Sequence, residues 1–118
     1  MQEMYYHPTK IDIKDKVKQI YQTMKNYNLV ETQTEFSRFI LQKSPRYFSM
    51  IIANEDQDFS INSLSYLVSQ LDYIRRDEIN NPQINELYLN AVKCLDKRVK
   101  DVIIPNNYFK LSLPLKEN

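Results

Sequence analysis

Glycine is absent from this chain of 118 residues, although glycine makes up about 7% of an average protein. Walker-type phosphate loops, Rossmann fingerprints and nucleophile elbows all need glycine at fixed positions, so the sequence excludes these sites. β-Hairpin folds are disfavoured for the same reason, since their tight turns use glycine. Eleven asparagines can serve some turns, because asparagine tolerates the left-handed region.

Cysteine and histidine occur once each, as Cys94 and His7. A single cysteine cannot form an internal disulfide, and this pair cannot supply the four ligands of a structural zinc site. We expect Cys94 to be a small buried hydrophobe and His7 to be a surface residue. The sequence therefore predicts no catalytic residue, no metal site and no cofactor, and the protein is not expected to be an enzyme.

Long hydrophobic runs are also missing, since no stretch approaches the ~18 apolar residues that cross a bilayer. Residues 1–10 are polar and lack the apolar core of a secretory signal. We therefore expect a cytoplasmic protein with no membrane contact. Its formal net charge is +1, so the molecule as a whole is not a basic nucleic-acid binder.

Hydrophobic residues make up 42% of the chain, and their spacing predicts an all-α domain of five helices. Asp12 starts the first helix, which ends near Asn26 and Asn28. Thr32 and Glu35 form a capping box for a short second helix that stops near Leu41 or Gln42. Its apolar face is supplied by Phe36, Phe39 and Ile40.

The other three helices also have recognisable first residues. Ser44 and Pro45 are predicted to cap and open the third helix, whose inner residues are Phe48, Ile51 and Ile52. Ser60 caps the fourth, which carries a leucine stripe. Asn81 and Pro82 start the fifth, which Pro105 ends. The predicted organisation is a mobile N-terminus (1–11), the domain of the first four helices (12–76), a C-terminal helix (77–104) and an extended tail (105–118).

Two short helices with a connection of two or three residues, set between long helices, are typical of a helix-turn-helix. Segments 32–37, 44–49 and 59–64 resemble the lambda-repressor-like, Cro-type helix-turn-helix family, and the likeness covers roughly residues 13–74. Family members carry glycine in the turn, where this chain has residues 41–43, and the spacing after Phe36 is one residue longer. The residues that match the family's pattern are Gln33, Phe36, Ser37, Leu64, Leu67 and Leu71.

One extra residue in the turn places Phe48 and Ile51 inside, and the outward side of the third helix then becomes a candidate surface. The family resemblance implies that this helix lies in the DNA major groove. No acid occurs between Glu35 and Glu55, a stretch with three basic residues. The predicted DNA-binding residues are Gln33, Arg38, Lys43, Ser44, Arg46, Tyr47, Ser49 and Met50.

The sequence predicts a small DNA-binding transcriptional regulator that uses residues 44–53 on double-stranded DNA. The apolar stripe of residues 82–104 either closes the core or forms a homodimer seam, and the resemblance favours a dimer. The alternative is a protein-interaction module on the same scaffold that does not bind DNA. Tyr47, Met50, the fifth helix and the aromatic tail would then contact a partner protein.

Overall fold

The computed structural model describes residues 12–77 and 80–117, with side chains described for 12–77 and 80–102. The described residues form helices and no strands: α1 (Ile13–Asn26), α2 (Gln33–Glu35) continued by a π-helical turn (Phe36–Ile40), α3 (Tyr47–Ala53), α4 (Ile61–Asp77) and α5 (Pro82–Glu117). The predicted all-α, five-helix fold is confirmed. The predicted mobile segment 1–11, with His7, lies outside the described residues.

Side-chain caps start four of the helices where the sequence predicted them. The Asp12 carboxylate accepts from the Asp15 amide, and the Thr32 hydroxyl accepts from the Glu35 amide. Ser60 and Asn81 cap α4 and α5 in the same way. In the capping box of α2, the Glu35 carboxylate reaches the amide of Glu31, one residue before the predicted partner.

The chain between α1 and α2 turns without glycine because Asn28 takes the left-handed conformation, with φ 63°. The Leu29 amide donates to the Met24 carbonyl and the Asn28 amide donates to the Lys25 carbonyl. These two bonds form a Schellman motif, in which the left-handed residue is usually glycine. Asparagine therefore takes over the role of glycine at this turn, as its abundance predicts.

The second and third helices differ from the prediction in three respects. The π-helical turn accommodates an extra residue inside the second helix, where the prediction placed it in the connection. Phe39 was predicted to be inward but is 56% exposed, and Leu41 is fully buried instead. The connection covers residues 41–46, six positions and not two or three, so α3 begins at Tyr47.

Ser44 and Pro45 therefore do not cap and open α3, which was a wrong prediction. Arg46 occupies the N-cap position and makes no side-chain capping bond. The cap comes from another helix, since the Ser37 hydroxyl accepts from the Phe48 amide at 2.9 Å. Phe48 and Ile51 are buried as predicted, and Ile52 packs against the core while half-buried.

One hydrophobic core joins all five helices. The rings of Tyr21, Phe36 and Phe48 meet with centroids 5.1–5.2 Å apart, and Phe59 stacks on Phe48 at 5.9 Å. α5 packs on α1 and α4 and buries three residues of the predicted stripe in this core, together with Cys94. The three are Ile84, Leu87 and Ala91. These side chains close the core and are therefore not free to form a dimer seam.

The extended tail predicted for residues 105–118 is wrong, because α5 continues to Glu117. Pro105 was predicted to end the helix. A proline inside a helix removes one hydrogen bond and costs about 3 kcal/mol. The helix can bend at the proline and continue. The leucines and lysines that follow have high helix propensity.

Candidate functional site

The candidate site is built around the outer face of α3, which we define as Arg46, Ser49, Met50 and Ala53. All four side chains are exposed, and Met50 retains 50% of its accessible surface. They are exposed because Phe48 and Ile51, on the opposite side of this short helix, are buried in the core. The outward position predicted for Arg46 is confirmed.

Arg46 forms no ion pair with a described acidic residue of the protein. Its backbone carbonyl accepts from the Ser49 hydroxyl at 3.0 Å and from the Met50 amide at 2.9 Å. The main chain at Arg46 is thereby tied to α3, while the guanidinium remains available to a partner from solvent.

The other predicted basic residues rest on aromatic rings. The Arg38 guanidinium lies 5.2 Å from the centroid of Phe39, and the Lys43 ammonium lies 5.7 Å from that of Tyr47. Neither forms an ion pair with a described acidic residue. Both cations keep their charge uncompensated, because an aromatic face attracts a cation without neutralising it.

The Tyr47 side chain contacts the start of α4 and does not belong to the outer face of α3. Its hydroxyl accepts from the Ser60 amide at 3.0 Å and lies 3.1 Å from the Ser63 hydroxyl. These bonds attach α3 to the start of α4. The Tyr47 hydroxyl is therefore bonded within the protein, where it holds α3 in position.

Gln33 and Ser44 lie at the edges of the site. Gln33 is exposed and lines a groove of about 360 Å³ together with Lys18 of α1 and Ile52 of α3. Ser44 is exposed in the connection, and its carbonyl accepts from the Tyr47 amide at 3.1 Å. Gln33 thus lies beside α1 and α3, a neighbourhood that its place in the sequence does not reveal.

Two lysines of α1 extend the basic surface and were missed in the sequence. The Lys14 ammonium donates to the Asn54 carbonyl at the end of α3, at 2.6 Å, and Lys18 lines the groove beside Gln33. Their spacing of four residues places them on one side of α1, which is a weak signal. Only the packing of α1 beside α3 brings them to the site.

The basic residues of α5 make a different surface. Lys97 and Lys100 pair with Asp101 and Asp96 one helical turn away, at 2.7 and 3.0 Å. Pairs of this kind on an exposed helix face compensate the lysine charge locally. This part of α5 therefore presents much less uncompensated positive charge than the region around α3.

Cys94 is fully buried in α5, as the sequence predicted. Burial raises the pKa of its thiol from 9.0 to about 11, an effect that Lys16 partly offsets. A thiol with this pKa is a poor nucleophile at neutral pH. Among the described residues, no group of three or more histidine, cysteine or acidic side chains could hold a metal ion.

A protein-family model described as a family of unknown function (DUF6626) matches residues 17–103, about three-quarters of the chain. The chain belongs to this family. The DUF6626 match begins within α1 and ends within α5, so it includes α3 and the basic residues around it except Lys14. No curated protein and no solved structure matches the chain. In the part that the structure describes, no helix is long and apolar enough to span a membrane.

Proposed function

We propose that this DUF6626 protein binds double-stranded DNA through the outer face of α3 and acts as a small transcriptional regulator. The observation that carries the proposal is that Arg46, at the start of α3, is exposed and pairs with no described acid, while the opposite side of this short helix is buried. Arginine can pair bidentately with guanine, serine can contact a base or a phosphate, and methionine can meet a thymine methyl group.

Uncompensated charge supports phosphate binding around this face. Arg38, Lys43 and Arg46 belong to a stretch without a single acid, and Lys14 and Lys18 adjoin it from α1. These five cations would neutralise phosphates on each side of the groove that α3 enters, and counterions would be released. Gln33 is a further phosphate ligand in this proposal, because it lies in the same groove as Lys18.

The lambda-repressor-like assignment is part of the proposal. The capping box at Thr32, the buried Phe36 and Ser37, and the buried Leu64, Leu67 and Leu71 support it. The six-residue connection between the second and third helices is longer than that of the family's motif. The homodimer stays a prediction, and Leu89 is the large apolar residue that remains exposed among residues 82–102, the part of α5 whose side chains are described.

The experiment compares binding of labelled duplex DNA by the full chain and by two arginine variants. At about 50 mM salt, where phosphate contacts are strongest, the wild-type chain is expected to bind random duplex. Arg46→Ala should weaken binding and lower the slope of log Kd against log salt by about one. Arg76→Ala is the matched control, because Arg76 lies on α4 and pairs with Asp72.

Two results would contradict the proposal. The wild-type chain could fail to retain DNA at low salt, or Arg46→Ala could bind with the same affinity and salt slope as Arg76→Ala. If the chain retains DNA but Arg46→Ala does not weaken the binding, the interface lies elsewhere on the molecule.

A second candidate function is a protein-interaction surface at the same place. Phe39 and Met50 are 56% and 50% exposed, and large exposed apolar side chains are common in binding sites. A partner protein would bury these residues and accept the charges of Arg38 and Arg46 with its own acids. Absence of DNA binding at low salt, together with an intact fold, favours this candidate.

A further inference from the structure

A cleft of about 350 Å³ lies where α1 and α4 end and α5 begins. Tyr27 and Leu29 line it from the end of α1, Tyr73 and Asp77 from the last turns of α4, and Ile84 from α5. The Schellman turn at Asn28 sets one wall, because it reverses the chain so that Leu29 returns toward the helices. This volume is sufficient for a small organic group.

The cleft combines aromatic rings with a carboxylate that pairs with no described cation. Tyr73 retains 69% of its accessible surface, which is unusual for a large aromatic side chain. Asp77 is exposed and takes part in none of the ion pairs among the described residues. Ring faces and carboxylates both attract cations, so these groups favour a positively charged ligand.

The helix ends that meet here favour the same sign of charge. Asp77 is the last residue of α4, where the helix dipole places its negative end. The positive end of α5 is already satisfied, because the Asn81 side-chain oxygen accepts from the amides of Gln83 and Ile84. The backbone amides of Gln83 and Ile84 are therefore not free to bind an anion, whereas the last turn of α4 offers carbonyls and a carboxylate to a cation.

Apolar side chains line the rest of the cleft. Leu29 is 37% exposed, and Ile74 and Ile84 pack against the core behind it. A ligand with an aliphatic stem could cover this apolar surface while its charged end lies near Asp77. The combination fits a group shaped like the side chain of lysine or arginine, whose stem is apolar and whose end is charged.

We propose that this cleft binds an aliphatic ammonium or guanidinium group, held by Tyr73, Tyr27 and Asp77. The cleft is separate from the DNA interface proposed above. Lys14 lies beside α3 near the first turn of α1, and Tyr27 follows the last turn, about 20 Å away along the helix. Free amines and the basic side chains of a partner protein present the same chemistry.

The test is an NMR titration of the ¹⁵N-labelled full chain with three probes: pentylamine, the uncharged 1-pentanol and a blocked Ala-Arg-Ala peptide. Either cationic probe is expected to shift the amide signals of Tyr27, Tyr73 and Asp77. Pentanol should bind at least about threefold more weakly than pentylamine, since it lacks the charge. Binding of the amine alone identifies a free ligand as the source, and binding of the peptide alone identifies a partner's side chain.

Variants assign the recognition to specific groups. Asp77→Asn should weaken cation binding by about three- to tenfold, and Tyr73→Leu should weaken it to a similar degree. Glu55→Gln removes the same charge from an exposed loop and should leave binding unchanged, and Arg46→Ala should also leave it unchanged. The proposal is overturned if neither cation shifts the cleft signals, if pentanol binds equally well, or if a folded Asp77→Asn binds like wild type.

Discussion

The hydroxyl of Ser37 accepts a hydrogen bond from the backbone amide of Phe48, and both residues are buried. Ser37 belongs to the π-helical turn of the second helix, whereas Phe48 lies in the first turn of α3. This bond satisfies an amide that has no partner within α3 itself. It therefore couples the position of α3, and of Arg46 at its start, to the second helix.

Replacing Ser37 with alanine should destabilise the fold. The Phe48 amide would remain buried without a partner, which costs about 1–3 kcal/mol. Urea unfolding followed by circular dichroism measures this loss. Ser65→Ala is the matched control, because Ser65 is exposed on α4 and should change stability by no more than about 0.5 kcal/mol. Equal effects of the two changes would show that the Ser37 bond does not stabilise the fold.

Replacing Tyr47 with phenylalanine tests whether the Tyr47 hydroxyl holds α3 in position. The variant loses the hydroxyl contacts to Ser60 and Ser63 but keeps the ring that faces Phe59. We expect a loss of about 1–2 kcal/mol in the free energy of unfolding. Tyr66→Phe, at an exposed position of α4, should be close to neutral. A stability equal to that of wild type would contradict the assigned role of the Tyr47 hydroxyl.

Replacing Gln42 with glycine should stabilise the protein. Gln42 has φ 59°, in the left-handed region that residues with a Cβ atom enter at a cost of about 1 kcal/mol. Glycine relieves this strain, but its greater conformational entropy in the unfolded chain offsets part of the effect. The free energy of unfolding should therefore rise by less than about 1 kcal/mol. Gln57→Gly, at a loop position with negative φ, should instead be neutral or destabilising. Thermal unfolding of both variants decides between these outcomes, and a lower melting temperature for Gln42→Gly would be contrary to expectation.

Cys94 should react slowly with thiol reagents until the protein unfolds. Its pKa is raised to about 11 in the fold, against 9.0 for the exposed group, so its thiolate fraction near pH 8 is about a hundredfold lower. The raised pKa also contributes stability that is present below pH 9 and is lost as the pH rises through about 11. A disulfide-exchange assay with and without urea measures the reactivity. Equal rates in the two conditions would show that Cys94 is accessible in the fold.

Features that depend on neighbouring residues in the chain could be predicted from the sequence. The caps at Asp12, Thr32, Ser60 and Asn81 need only a side chain and an amide two or three residues away. The inward orientation of Phe48 follows from helical periodicity and burial. The five helices and most of the core could therefore be predicted.

Features that depend on contacts between helices could not be predicted. Ser44 has the residue type of an N-cap, but the cap of α3 comes from Ser37 in another helix. Phe39 has the spacing of a core residue, but the π-helical turn changes the direction of the side chains that follow Phe36. At the candidate site, Lys14 reaches Asn54 across forty positions of sequence, a contact that local patterns cannot predict.

Chemical-shift mapping of the ¹⁵N-labelled chain with duplex DNA tests the central claim most directly, because it locates the interface residue by residue. We predict that DNA shifts the amide signals of residues 43–53 together with Lys14 and Lys18, and that these shifts diminish as salt is added. Signals from the exposed side of α4, including Tyr66 and Tyr73, should stay in place. A spectrum without DNA-induced shifts at low salt, or with shifts confined to α4 and α5, would contradict the assignment of α3 as the DNA-binding helix.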